Sequence, residues 1–233
     1  MFEWWNWLVE TARGFSMLSM TIRLLLAVVV GTAIGIDRSV KHRGAGIKTH
    51  TLVCLGAAVV MMTSQHISLH FTDKADVARL GAQVISGVGF LGVGTIIVTG
   101  KNQIKGLTTA AGLWTCACIG LAAGIGYVEG VVLCLFLVLF TFKILNRVDL
   151  YLRKHAKNFD FYLEFDNNRS VVRFMEELRN AELKLSVFEL SKNKIKGEGP
   201  TAIASIEVKD KKKRAMVPEI IRSIEGVKFV EEL

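Results

Sequence analysis

Residues 80–98 read Leu80-Gly81-Ala82-Gln83-Val84-Ile85-Ser86-Gly87-Val88-Gly89-Phe90-Leu91-Gly92-Val93-Gly94-Thr95-Ile96-Ile97-Val98. The stretch admits two opposed readings. Gly87, Gly89 and Gly92 match G-x-G-x-x-G letter for letter, but the dinucleotide fingerprint needs a strand before it and a helix after it in a soluble βαβ unit. Here the glycines lie inside 19 residues without a single charge, and about 20 apolar residues are what a helix needs to cross a bilayer core of about 30 Å. The stretch is therefore read as a membrane span and its glycines as packing surfaces. At 100° per residue Gly87 and Gly94 share one face, while Gly81, Gly89 and Gly92 gather on roughly the opposite one. Small residues let helix backbones approach closely in lipid. Such a helix is expected at the centre of a bundle, with the G-x-x-x-G pairs Gly31/Gly35 and Gly120/Gly124 as its partners.

Four further spans flank it. Residues 17–36 are interrupted only by Arg23, and 47–67 follow. Residues 107–142 carry only Glu129 and are too long for one crossing, so the turn at Gly126–Gly130 divides them into spans near 107–126 and 129–146. Charge orients the five. The segments after the first, third and fifth spans are basic: Arg38, Lys41, Arg43 and Lys48, then Lys101 and Lys105, then Arg147, Arg153, Lys154 and Lys157. The intervening loops are neutral or acidic. The positive-inside rule then places the N-terminus outside and the C-terminus in the cytoplasm.

The expected fold is an α-helical polytopic bundle over residues 17–149, a linker at 150–158 and a small cytoplasmic domain at 159–233. Composition agrees: mean hydropathy is +0.40, and residues 150–233 hold 17 of the 29 Lys/Arg and 14 of the 21 Asp/Glu. Residues 1–16 lack the basic start of a secretory signal, while Trp4, Trp5 and Trp7 suit an anchor lying in the membrane interface. The tail changes period. Phe159–Phe165 alternates as a strand does, and Ser170 is positioned to cap a helix to about Ala181 whose apolar face is Val171, Val172, Met175 and Leu178. Strands follow at 183–190 and 201–208, then a helix at 215–224 and a strand at 227–230. That order, β-α-β-β-α-β, is the ferredoxin-like sandwich.

Chemistry-bearing residues are sparse. Cys54, Cys116, Cys118 and Cys134 all lie in spans, where free cysteines serve as small apolar packers. His66 and His70 have the spacing of two metal ligands, but no carboxylate or cysteine stands near them, so no metal site is assigned. The Lys209–Arg214 run suits a solvated turn or an anionic lipid surface. Nothing supports nucleic-acid binding, a cofactor or a catalytic pair. Arg23 lies about 9 Å into its span; such a charge pairs, lines a polar cavity or snorkels to the surface. Asp76 and Arg79 are one turn apart and placed to pair, and Asp37-Arg38 closes the first span.

Across residues 17–146 the chain resembles the MgtC/SapB family of bacterial membrane proteins. The resemblance rests on Arg23 with Gly31-x-x-x-Gly35-Ile36-Asp37-Arg38, on Ala45-Gly46-Ile47-Lys48-Thr49-His50-Thr51, and on Asp76-x-x-Arg79. It continues through Ala82-Gln83-Val84-Ile85-Ser86-Gly87-Val88-Gly89-Phe90-Leu91-Gly92 and Lys105-Gly106-Leu107-Thr108-Thr109-Ala110-Ala111. It marks Arg23, Asp37, Arg38, Asp76, Arg79 and Gln83 as functional candidates. It implies a protein of the bacterial inner membrane engaged in adaptation to low magnesium and, in pathogens, virulence and survival inside macrophages. Its expected partners are the lipid bilayer and another membrane protein, the ATP synthase or a transporter, with a homo-oligomer admitted. Regulation is the leading reading and cation transport the alternative. The tail is similar to an ACT-type regulatory domain, although Asp166-Asn167-Asn168-Arg169 lacks the glycine that amino-acid-binding ACT domains place in that turn.

Overall fold

The computed structural model describes residues 3–41, 44–71, 76–99, 103–155, 158–181, 183–191, 199–208 and 216–232. The chain divides after Arg147 into two compact units, close to the division that hydropathy suggests.

In the first unit, α1 (Glu3–Arg13) is a short amphipathic helix that buries Val9 and Ala12 beside Val128 and leaves Trp4 and Trp7 outward. Helices α2 (Met17–Val40) and α3 (Ile47–His70) follow, then α4 (Ala78–Val93), α5 (Leu107–Gly124) and α6 (Val128–Phe140). Ser16 caps α2, its hydroxyl accepting from the Ser19 N–H. After α6 the helix widens into a π-turn over Thr141–Leu145 and runs on as α7 (Asn146–His155), so most of the expected linker is helical. Four helical stretches are long and apolar enough to cross a bilayer: Met17–Val40, Ile47–His70, Leu107–Gly124 and Val128–Leu152.

The expected span at 80–98 is built differently. Its helix, α4, is apolar but only 16 residues long. It stops where Thr95-Ile96-Ile97-Val98 begins, a β-branched run with low helix preference. There the Thr95 hydroxyl donates to the Gly92 carbonyl at 2.8 Å, and the chain continues as a two-stranded hairpin, β1 (Ile97–Val98) against β2 (Ile104–Lys105). The hairpin returns to α5 through Gly106, whose φ of 102° is left-handed. A side chain there would also run into the Thr95 carbonyl.

The central helix is α3 rather than α4. A Cβ at Gly31 would lie 2.5 Å from the Cα of Thr51, and one at Gly35 2.5 Å from the Cα of Ile47. Across α3's other side, Gly120 and Gly124 press on the carbonyls of Cys54 and Ala58. Both G-x-x-x-G pairs thus grip α3. Helix α4 meets the bundle along one side only. Gly81 faces Met61 and Leu121, and Gly92 faces Ala110, but nothing lies within 4 Å of a Cβ built at Gly87 or Gly89, and Gly94 meets only its own helix end. The expectation of packing at Gly87, Gly89 and Gly94 is corrected accordingly. The bundle-facing line is Gly81–Val88–Gly92, which leaves these three glycines off it.

The second unit has the element order expected. β3 (Asn158–Phe165) buries Phe159, Phe161, Leu163 and Phe165, each two residues from the next. α8 (Asn168–Asn180), β4 (Lys184–Ser191), β5 (Thr201–Glu207), α9 (Val217–Ser223) and β6 (Val227–Glu232) follow. The sheet order is β4-β5-β3-β6 with all pairs antiparallel. Two local expectations are corrected. Asn167, not Ser170, caps α8, because its side-chain oxygen reaches the N–H groups of both Arg169 and Ser170. The buried face of α8 is Val171, Phe174 and Leu178; Val172 and Met175 are exposed. The run Lys209–Arg214 lies outside the described residues.

Candidate functional site

Charge gathers at two places along α2, Arg23 and Asp37, which are 14 residues and so about 21 Å apart. At the first place Arg23 is fully buried. Its Nε donates to the Ala12 carbonyl at 2.7 Å, and Nη1 to Gln65 Oε1 at 2.6 Å and the Gly124 carbonyl at 2.8 Å. Nη2 donates to the carbonyls of Arg13 at 3.3 Å and Gly14 at 2.6 Å. A guanidinium has five N–H donors, and here each has an acceptor. Four are carbonyls at or just beyond the C-termini of α1 and α5, the negative ends of their dipoles. Arg23 thus neither pairs with a carboxylate nor snorkels: it fastens two helix ends together. The Ser19 hydroxyl reaches the same turn, 2.7 Å from the Gly14 carbonyl. At the surface nearby, Arg13 and Glu129 form an ion pair at 2.6 Å.

At the other place Asp37 accepts from Lys41 Nζ at 3.0 Å, with Arg38 Nη1 at 4.0 Å. Arg38 is only 4 % exposed, and its guanidinium carbon sits 4.6 Å from the centre of the Phe142 ring. Lys41 also donates to the Phe142 carbonyl at 3.2 Å. Both cations of the α2 terminus therefore converge on one residue of the π-turn, and such turns recur at functional sites. Beneath them His50 is fully buried. Its Nδ1 donates to the Gly46 carbonyl at 2.9 Å, since that oxygen can only accept. Its Nε2 has no hydrogen-bond partner among the described residues. A Cβ at Gly112 would lie 3.5 Å from that nitrogen and 3.4 Å from the Phe142 ring, so ring and imidazole both pack against α5 there. The Cys116 thiol donates to the His50 carbonyl at 3.3 Å.

The candidate residues thus fall into three groups. Asp37 and Arg38 share one site, and Arg23 stands apart from it on the same helix. Asp76, just before α4, and Arg79 and Gln83, on it, are exposed. Asp76 does not pair with Arg79 among the described residues; its carboxylate accepts the Ala78 N–H at 2.9 Å at the start of the helix. Ser64 ties α3 to the same turn through the Val77 carbonyl. His50, Lys41 and Phe142 join the Asp37 site although sequence reasoning did not single them out. The signal available was a histidine one turn inside an otherwise apolar helix. The rings of His66 and His70 are tilted against each other at 4.2 Å between centroids, with Phe15 stacked on His66. Among the described residues no cluster of three His, Cys, Asp or Glu surrounds them.

Known proteins can now be set beside this geometry. Over 95 residues the chain is 44% identical to YhiD of Escherichia coli K12, whose name puts it forward as a magnesium transporter; the match covers 39% of this chain and 43% of that one. It is 40% identical over 95 residues to the protein MgtC of Salmonella typhimurium strain 14028s, covering 41% and 38%. It is 39% identical over 94 residues to an uncharacterized protein of Haemophilus influenzae, covering 38% and 40%. The matched stretch spans less than half of each of these relatives. No solved structure matches. The MgtC family model matches residues 24–150, from just after Arg23 through the π-turn and past the Asp37 site. The chain is a membrane protein of the MgtC family.

Proposed function

We propose that this protein is a five-span regulator in the bacterial inner membrane that acts on other membrane proteins, such as the ATP synthase or a transporter, when magnesium is scarce. In this reading α4 and its hairpin make the fifth crossing, the N-terminus is outside, and the C-terminal unit is a cytoplasmic domain of ferredoxin-like, ACT-like type that receives the signal. In a pathogen the same role would serve survival inside macrophages. No enzymatic reaction is assigned.

One observation carries the reading: Arg23, Asp37 and Glu129 are engaged within the chain. Arg23 is fully used by backbone and amide oxygens, Asp37 is held by Lys41, and Glu129 by Arg13. Magnesium needs six oxygen ligands in near-octahedral array and sheds water reluctantly. Asp37 and Glu129 sit at helix ends matched with cations, Asp76 is held by a backbone N–H before α4, and Arg23 adds a fixed positive charge. Such a unit suits docking and signalling better than conduction.

The name of YhiD favours the second reading, a magnesium transporter. The two separate in liposomes loaded with a magnesium-sensitive dye, with an established magnesium channel as positive control. We expect no flux above empty vesicles, while the same protein restores growth at low magnesium to a strain lacking its own family member. A saturable flux abolished by Asp37→Ala or Asp76→Ala would overturn the regulatory reading.

A further inference from the structure

Helix α3 ends in a pair of imidazoles. His66 and His70, four residues apart, lie on one side of its last turns, and both are exposed. With 24 residues α3 is about 36 Å long, more than a bilayer core of about 30 Å, so its ends are within reach of water.

The spacing alone assigns nothing, but the structure adds three constraints. The two rings approach to 4.2 Å between centroids, tilted by 30°. Phe15 braces them, stacked on His66 at 5.7 Å and 6.1 Å from His70, while Phe71 meets His66 edge-on at 6.0 Å. His70 Nδ1 donates to the His66 carbonyl at 3.1 Å, since that oxygen can only accept. The neutral His70 ring then keeps its lone pair on Nε2. Metal-binding histidines are held in this way, the second ring N–H given to a carbonyl that fixes the tautomer and the ring's orientation. Among the described residues no hydrogen bond occupies either ring nitrogen of His66.

We infer that His66 and His70 chelate a divalent transition metal at the C-terminal end of α3, with water completing its coordination. An ion about 2.0–2.1 Å from each nitrogen needs the two nitrogens roughly 3 Å apart. Rings whose centres are 4.2 Å apart reach that by turning about χ2, which is a broad torsion in histidine. The negative end of the α3 dipole favours a cation there. Arg23, whose guanidinium carbon is 6.0 Å from the Phe15 ring centre, is surrounded by oxygen acceptors that offset its charge. Imidazole suits copper, nickel and zinc, whereas magnesium demands oxygen. The pair is therefore no magnesium site, and it depends on neither the regulatory nor the transport reading. Two protein ligands leave the remaining positions to water, so the ion exchanges rather than holding the fold.

The test uses the full chain without an affinity tag, in lipid nanodiscs, titrated calorimetrically with Cu2+ and with Zn2+. One ion per chain should bind, copper more tightly than zinc, and magnesium in large excess should displace neither. His66→Phe keeps a ring against Phe15 and removes the ligand. It should weaken copper binding about tenfold or more, because the second imidazole otherwise binds intramolecularly. His70→Ala should do the same, while His42→Ala with His155→Ala should leave the affinity unchanged. The electron paramagnetic resonance of bound Cu2+ should show two imidazole nitrogens in the parent and one in His66→Phe. That spectrum reports the ligands of each ion actually bound, so a loss of folded protein cannot imitate the change. Undiminished binding in His66→Phe, or a single nitrogen in the parent, would mean scattered surface coordination and would overturn the site. Displacement by magnesium at a concentration comparable to the copper would do so equally.

Discussion

Arg23 carries a full charge whose compensation is spread over five neutral oxygens, four of them carbonyls at or near two helix C-termini. Buried acceptors left without donors cost about 1–3 kcal/mol each. Arg23→Ala should therefore lower stability by about 3 kcal/mol or more, seen as a clear fall in the thermal midpoint of the detergent-solubilised protein. Arg23→Lys keeps the charge but has three donors for five oxygens, and should fall between. If Arg23 instead served an ion path, both variants would melt like the parent and fail only in the functional assay. The sequence marks this arginine as costly but is silent on its partners, because backbone carbonyls are present at every residue and carry no signature. His50 is hidden for a related reason. Its surroundings, Gly112 on α5 and Phe142 on the π-turn, come from positions 62 and 92 residues further along the chain.

Helices show where periodicity suffices and where it does not. The four long spans and all four strands of the C-terminal unit are legible from runs and alternation, since each reflects one local solvent choice. Which glycine meets which helix is not, because a 3.6-residue period gives faces without naming neighbours. Thus Gly92 and Gly89, placed together by angle, part company in the structure. Gly92→Leu should push α4 off Ala110 and destabilise the protein by about 1–3 kcal/mol, while Gly89→Leu should leave the melting temperature nearly unchanged. A similar contrast holds in α8. Phe174 is fully buried and Met175 is 40 % exposed, so Phe174→Ala should cost about 3–5 kcal/mol and Met175→Ala well under 1 kcal/mol. Hydrogen exchange of the β3 amides in the full chain would read both, and equal effects would contradict the assigned face.

For the molecule as a whole, the division into a lipid-built unit and a water-built one is the most legible feature, because charge density changes within a few residues of Arg147. Orientation is a prediction at this scale. Asp73→Cys and Glu129→Cys should react with an impermeant thiol reagent added to intact cells, while Lys101→Cys and Lys192→Cys should react only after permeabilisation. Labelling at position 192 in intact cells would reverse the assignment. The Arg23 knot also sets an order of events during biosynthesis. Its acceptors at residues 12–14 are present when α2 is made, but Gly124 is translated 101 residues after Arg23. At bacterial rates of up to about 20 residues per second, that delay is about 5 s or longer. For that interval the first long helix holds a cation with an unfilled donor, so nascent chains halted before α5 are the ones a membrane protease or an insertion chaperone should recognise.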